Sequence, residues 1–173
     1  KMVAGIEVDL FRPDDELKRL AQVALEHGVA DVIIGSDDVA AVLATLADSD
    51  GGKAWLAELE ISKDPWFNYS SGTGFYHHDK VWMDNMDIPF GYLRNYIGEL
   101  QGGADLSRPL AAIRVERERI ANEYAALLAD EDREVFMGKM GLARTVFPYI
   151  ENHNFYIEHW LHSVFWRKMK ELS

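Results

Sequence analysis

The sequence contains no cysteine. Disulfides, thiolate metal sites and cysteine nucleophiles are therefore excluded, and the composition fits a reducing compartment. Long apolar runs are missing as well. None approaches the roughly 20 residues that a membrane-spanning helix needs. The opening Lys1-Met2-Val3-Ala4-Gly5 lacks the apolar centre of a secretory signal. Positive charge is scarce: 18 Lys and Arg stand against 29 Asp and Glu, a formal net charge of −11. Such a surface repels a phosphate backbone, which argues against a nucleic-acid partner. The small basic cluster Arg167, Lys168 and Lys170 suits a helix C-terminus instead. Repeats and low-complexity stretches are also absent. These absences lead us to expect a cytoplasmic protein with neither a membrane nor a nucleic acid as partner.

What is present is a chain of 173 residues, 48% hydrophobic and 12% aromatic, enough for one domain with a real core. Helical signals come in succession. Pro13-Asp14-Asp15-Glu16 opens the first helix and Gly28 stops it. Ser36-Asp37-Asp38 starts the second, with Val39, Val42, Leu43 and Leu46 as its stripe, and Gly51-Gly52 ends the connection that follows. Residues 53–61 form a short third helix, and another runs from near Pro89 to about Leu100. Ser107-Arg108-Pro109 begins a long helix in which Arg117 occupies one place in an apolar stripe. Asp130-Glu131-Asp132 caps the next. Pro148 is expected to interrupt, with a last helix from about Tyr149 to Leu172. Residues 5–10 and 29–34 have some strand character and are read as extended connections. The expected fold is all-α, an irregular bundle of about six to seven helices with one long aromatic loop.

That loop, residues 64–87, shows neither helical nor strand periodicity. It carries Trp66, Phe67, Tyr69, Phe75, Tyr76 and Trp82, with His77-His78-Asp79 among them. Loops of this length are often functional. Its rings either cover the end of the bundle or form a lid over an aromatic ligand. Ser71-Gly72-Thr73-Gly74 matches neither a Walker loop nor a full dinucleotide fingerprint. Asp79, Asp84 and Asp87 read as solvated acids.

The last helix concentrates the remaining chemistry. Its apolar residues fall on several stripes, so it is expected to be buried nearly all round. Burial then requires partners for Glu151, His153, Glu158, His159 and His162. They are either a satisfied core network or the polar wall of an aromatic pocket. Metal binding is disfavoured, because no His-Glu-x-x-His and no Glu-x-x-His occurs. No Gly-x-Ser-x-Gly elbow exists for a serine hydrolase.

Two stretches resemble a known family. Met2 to Asp14, with Glu16-Leu17 and Leu20-Ala21, and Pro148-Tyr149-Ile150-Glu151-Asn152-His153-Asn154-Phe155-Tyr156-Ile157-Glu158 are similar to the middle region of phosphoenolpyruvate-utilising enzymes. That group includes pyruvate, water dikinase, rifampicin phosphotransferase and phenylphosphate synthase. The resemblance implies the central, acceptor-side or linker region of an ATP-dependent phosphotransferase, inactive alone. In such enzymes an ATP-grasp domain phosphorylates a histidine on a swivelling domain, and the phosphoryl group passes to an acceptor. ATP and Mg are implied for the parent enzyme, with no cofactor held by this region. The implied partners are the ATP-grasp and swivelling domains and a small aromatic or apolar acceptor. The start at Lys1 and the end at Ser173 are read as those of a piece of a longer protein. His153 becomes the candidate catalytic group, and Glu151, Asn154 and Tyr156 candidate pocket residues. His159, Trp160, Trp66, Tyr69, Tyr76, His77 and Trp82 complete the candidate substrate-binding set. The chain lacks a swivelling-histidine motif, an ATP-grasp glycine-rich segment and a lysine–arginine phosphate clamp. A structural linker and an unrelated helical small-molecule-binding domain are the alternatives.

Overall fold

The structure, a computed structural model, describes residues 2–70 and 80–173. The fold is all-α. Among the described residues, helices α1 (Arg12–Glu26), α2 (Ala30–Ile34), α3 (Val39–Ala47), α4 (Asp50–Lys63), α5 (Asp87–Gln101), α6 (Leu110–Ala126) and α7 (Asp130–His153) are followed by a π-helix (Asn154–Leu161) and α8 (His162–Leu172). The chain forms two compact units, Lys1–Leu10 with Ser107–Asn154 and Phe11–Leu106 with Phe155–Ser173.

In the larger unit α1 packs chiefly against α5 and α4, and α3 against α4. Leu17, Leu20, Ala21 and Ala24 of α1 recur at helical spacing and are all buried. They meet Ile33, Val42, Leu46, Trp55, Leu59, Phe90, Leu93 and Ile97 in one core. The centre of this core is Trp55. Its ring meets Phe90 edge-on at 6.0 Å, and its indole N–H donates to the Leu20 carbonyl at 2.9 Å.

Local chemistry sets the boundaries. Gly28 has φ +66°, a conformation that lets α1 end abruptly. The Asp38 carboxylate accepts from the Ala41 N–H at 3.1 Å to cap α3, and the Ser49 hydroxyl accepts from Gly52 N–H at 3.0 Å to cap α4. Asp64 is extended and precedes Pro65, so α4 stops there. Between α1 and α4, the Arg19 guanidinium donates to Glu16, Glu58 and the buried Ser62 hydroxyl, which in turn donates to Glu16.

Several details depart from the sequence expectation. Val29–Ile34 is not extended, because Ala30–Ile34 is helical and buries Ala30 and Ile33. Gly51 and Gly52 lie inside the first turn of α4 rather than between helices. Pro148 does not break its helix: α7 runs through it to His153. The last helix is not buried all round. Tyr149, Ile150, Leu161, Phe165, Met169 and Leu172 are exposed, and only Phe155 and Ser163 are buried in its final two segments.

In the smaller unit α6 packs against α7. Three arginines hold the opening segment through its carbonyls: Arg114 to Gly5 at 2.9 Å, Arg117 to Ala4 at 3.3 Å and Arg144 to Met2 at 3.2 Å. Arg117 and Arg144 also share Glu118, and they hold its carboxyl below the usual carboxylate range. This explains the arginine in the α6 stripe. The Arg144 Nη2 is buried without a hydrogen-bond partner. Arg144→Lys deletes that nitrogen and the Nε donor to Met2 but keeps a cation near Glu118, so it is expected to cost about 1 kcal/mol or less. Arg144→Ala leaves the Met2 carbonyl and Glu118 short of a donor and is expected to cost roughly 1–3 kcal/mol. Urea denaturation of both variants measures the difference.

Candidate functional site

The candidate site lies in the larger unit. It forms where the chain leaves α4, returns towards α5, and is met by the π-helix and α8. The two loop arms are joined by backbone bonds. Trp82 N–H donates to the Tyr69 carbonyl and Met83 N–H to that of Phe67, both at 2.9 Å. Phe67 and Tyr69 each meet Trp82 edge-on, at 5.8 Å and 5.1 Å.

Every fourth residue of the last helical stretch faces these arms. Phe155 stacks on Trp66 at 5.3 Å, and His159 stacks on Tyr69 at 4.7 Å. Ser163 and Arg167 both donate to the Asn68 side-chain oxygen, Ser163 at 3.0 Å. Residues four apart are neighbours on one helix face, so the series runs on from the π-helix into α8. The Asn68 amide then donates to Asp64 at 2.9 Å, and the Trp160 indole N–H donates to the same carboxylate oxygen at 2.8 Å. Asn68 is fully buried and uses both ends of its amide.

His159 is the titratable group at the centre. Its Nδ1 accepts from the Ser70 backbone N–H at 3.4 Å. Burial pushes its pKa below 6.5, against a smaller opposing pull from Glu158. Burial also raises the Tyr69 hydroxyl, with smaller contributions from Tyr92 and Asp14. Near neutral pH both rings are therefore uncharged, and the cluster presents aromatic faces rather than a fixed charge.

The depressed His159 pKa has a stability consequence. Between the folded value and 6.5 the unfolded chain binds more protons than the folded one. This contribution is complete above about pH 6.5 and is lost as pH falls through that window. The Glu118 carboxyl also weakens the fold on acidification, but at lower pH, below the ordinary carboxylate value of 4.5. His159→Gln is expected to flatten the stability profile just below pH 6.5 and to leave the decline below pH 4.5 intact. Thermal melts at half-unit pH steps measure it.

Of the sequence-nominated residues, the structure gathers Trp66, Tyr69, Trp82, Tyr156, His159 and Trp160 in one unit. Tyr156 meets Phe155 and Trp160 edge-on at 5.2 Å and 6.0 Å. Glu151, His153 and Asn154 belong to the other unit, where His153 is exposed in the last turn of α7. Tyr76 and His77 lie outside the described residues, as do Asp79 and the Ser71–Gly74 stretch. Asp84 and Asp87 are exposed. Among the described residues no three His, Asp or Glu side chains gather in a way that could hold a metal ion.

Sequence reasoning missed Asn68, Ser163 and Arg167. An isolated polar residue in an aromatic loop carries no periodic signal, although Asn68 amid Trp66, Phe67 and Tyr69 was a candidate for a buried amide. It also missed Tyr92, which lies 6.0 Å from Trp82 and lines a groove of about 460 Å³ along α5 with Asp37, Asp87, Ile88, Gly91, Arg94 and Asn95.

No family model, curated protein or solved structure matches the chain. Among the described residues, no helix is long and apolar enough to cross a membrane.

Proposed function

We propose that this chain is the acceptor-side region of a cytoplasmic ATP-dependent phosphotransferase. A small aromatic acceptor with a hydroxyl or carboxyl group lies against Tyr69, Trp82 and His159. The phosphoryl group reaches it from a phosphohistidine on a swivelling domain, charged by an ATP-grasp domain that holds ATP and Mg. The reading is supported by the resemblance carried in Met2–Asp14 and Pro148–Glu158. The observation that carries it is the half-buried His159 stacked on Tyr69, since aromatic rings with a few placed polar groups are the usual lining of small-ligand sites. Phosphoryl transfer demands mainly positioning and charge stabilisation, so an acceptor region contributes by orientation alone.

Titrating the full chain with simple phenols, naphthols and hydroxybenzoates while following tryptophan fluorescence tests this. Saturable binding that weakens about tenfold in His159→Ala is expected, the scale of one lost hydrogen bond with its ring contact. A parallel His153→Ala variant tests the exposed histidine. If binding survives His159→Ala and fails in His153→Ala, the acceptor sits against α7 instead. No saturable binding by any of these probes defeats the reading.

A second reading, a non-catalytic helical spacer, draws support from the internally satisfied amide of Asn68. It predicts that no phenol binds and that loss of His159 changes stability only.

A further inference from the structure

Asn68 sits at the junction of two hydrogen-bonded branches. Its oxygen accepts from Ser163 and Arg167 of α8, and its amide N–H donates to Asp64, which also accepts from Trp160. Asn68 is fully buried and Ser163 is 4% exposed, so the arrangement is a fixed internal joint. The next two residues in the chain are the ones that define His159. Tyr69 supplies the ring beneath the imidazole, and Ser70 supplies the N–H at Nδ1. A neutral imidazole carries one proton, and a nitrogen that accepts a hydrogen bond does not bear it. With Nδ1 accepting, the ring proton belongs on Nε2.

We infer that Asn68 is a positioning residue that locks His159 as the Nε2–H tautomer, so that the ring's second nitrogen is a hydrogen-bond donor rather than an acceptor. Resting on the acceptor-site reading, this refines the ligand chemistry. A ligand that reaches Nε2 meets a donor, which suits an oxygen with a lone pair or negative charge, such as a phenolate, carboxylate or phosphoryl oxygen. In this tautomer it does not take a proton through Nε2. The anchoring works through geometry: removing the Asn68 amide cuts the link from residue 68 to α8 and loosens the Ser70 N–H that selects the tautomer, while Tyr69 stays tied to Trp82.

The test is long-range proton–nitrogen NMR of the histidine rings in the full chain, with His159 assigned by the signal missing from His159→Gln. The parent is expected to show the Nε2–H pattern at His159. Asn68→Ala is expected to show an averaged tautomer and a ring titrating closer to 6.5, with helical content by circular dichroism unchanged. Ser163→Ala removes one of the donors to Asn68 and keeps the remaining bonds. It is expected to give a partial shift, and it serves if Asn68→Ala does not fold. Asp64→Asn keeps an acceptor for Asn68 and Trp160 and is expected to preserve the parent tautomer. An Nδ1–H pattern in the parent overturns the inference. So does an unchanged Nε2–H pattern in Asn68→Ala, or in Ser163→Ala where Asn68→Ala fails to fold. Phenol binding is read separately: Asn68→Ala is expected to weaken it about five- to tenfold, one oriented hydrogen bond's worth. A locked tautomer with no ligand binding defeats the acceptor reading and leaves the positioning role standing. Binding with an unlocked tautomer does the reverse.

Discussion

Gly52→Ala is expected to destabilise the larger unit by more than about 4 kcal/mol, with loss of the folded state at moderate temperature. An added Cβ would lie 1.9 Å from the Leu46 carbonyl oxygen, and 2.6 Å and 2.7 Å from that residue's carbonyl carbon and Cα. All three are backbone atoms, so no side-chain rotation relieves the overlap. The end of α3 would have to separate from the first turn of α4, and the Ser49 cap on Gly52 N–H would go with it. Gly91→Ala is the control. It also sits inside a helix, α5, yet an added Cβ there meets nothing within 4 Å. Relief from glycine's backbone entropy is expected to stabilise that variant by about 0.5–1 kcal/mol. Opposite signs for two glycine-to-alanine changes, read by chemical denaturation, separate close approach from helix propensity.

Trp55→Ala carries the second largest effect, a loss of roughly 3–5 kcal/mol. Trp55 is fully buried, packs edge-on with Phe90, and ties α4 to α1 through the Leu20 carbonyl. Truncation removes the ring from the centre of the core and leaves a cavity that helices on several sides cannot fill by small shifts. Trp55→Phe keeps most of the apolar contact and deletes the indole donor. It is expected to cost about 1–2 kcal/mol, the worth of one buried hydrogen bond with slightly looser packing. A similar loss for both variants contradicts the view that ring volume, rather than the indole bond, dominates at Trp55.

The helices were legible in the sequence where capping chemistry and apolar spacing agreed. Asp38 before the Val39–Leu46 stripe and Pro13 before Leu17 and Leu20 mark real starts. Val29–Ile34 misled because four of its six residues are β-branched, whereas contacts with α3 and α5 hold Ala30–Ile34 helical. Pro148 misled because a proline deep in a long helix removes one donor without ending the helix when its neighbours hold it. The final helix was misjudged for a related reason. Its apolar residues fall on several stripes, which reads as burial on every side, but only one face meets a partner. The structure turns the Phe155–His159–Ser163 face towards the loop and leaves Ile157 and Leu161 exposed. The site was half legible. Its rings and His159 stood out as residue types, but the amide that holds them in place is visible only in three dimensions, through contacts spanning 95 residues between Asn68 and Ser163.

The proposed aromatic acceptor would bind at the Tyr69–Trp82–His159 cluster. The five tryptophans of the chain report on it directly, because their indole N–H signals are separately visible by NMR and two of them bracket the claim. Trp82, at the edge of the same core and 4% exposed, meets Tyr69 edge-on, while Trp55 lies at its centre with its N–H on Leu20. Titrating naphthol or hydroxybenzoate into the isotopically labelled full chain should move the Trp82 signal saturably, with smaller shifts at Trp66 and Trp160, and leave Trp55 in place. Saturable shifts confined to Trp166, or none at Trp82 at any concentration reached, would contradict the account.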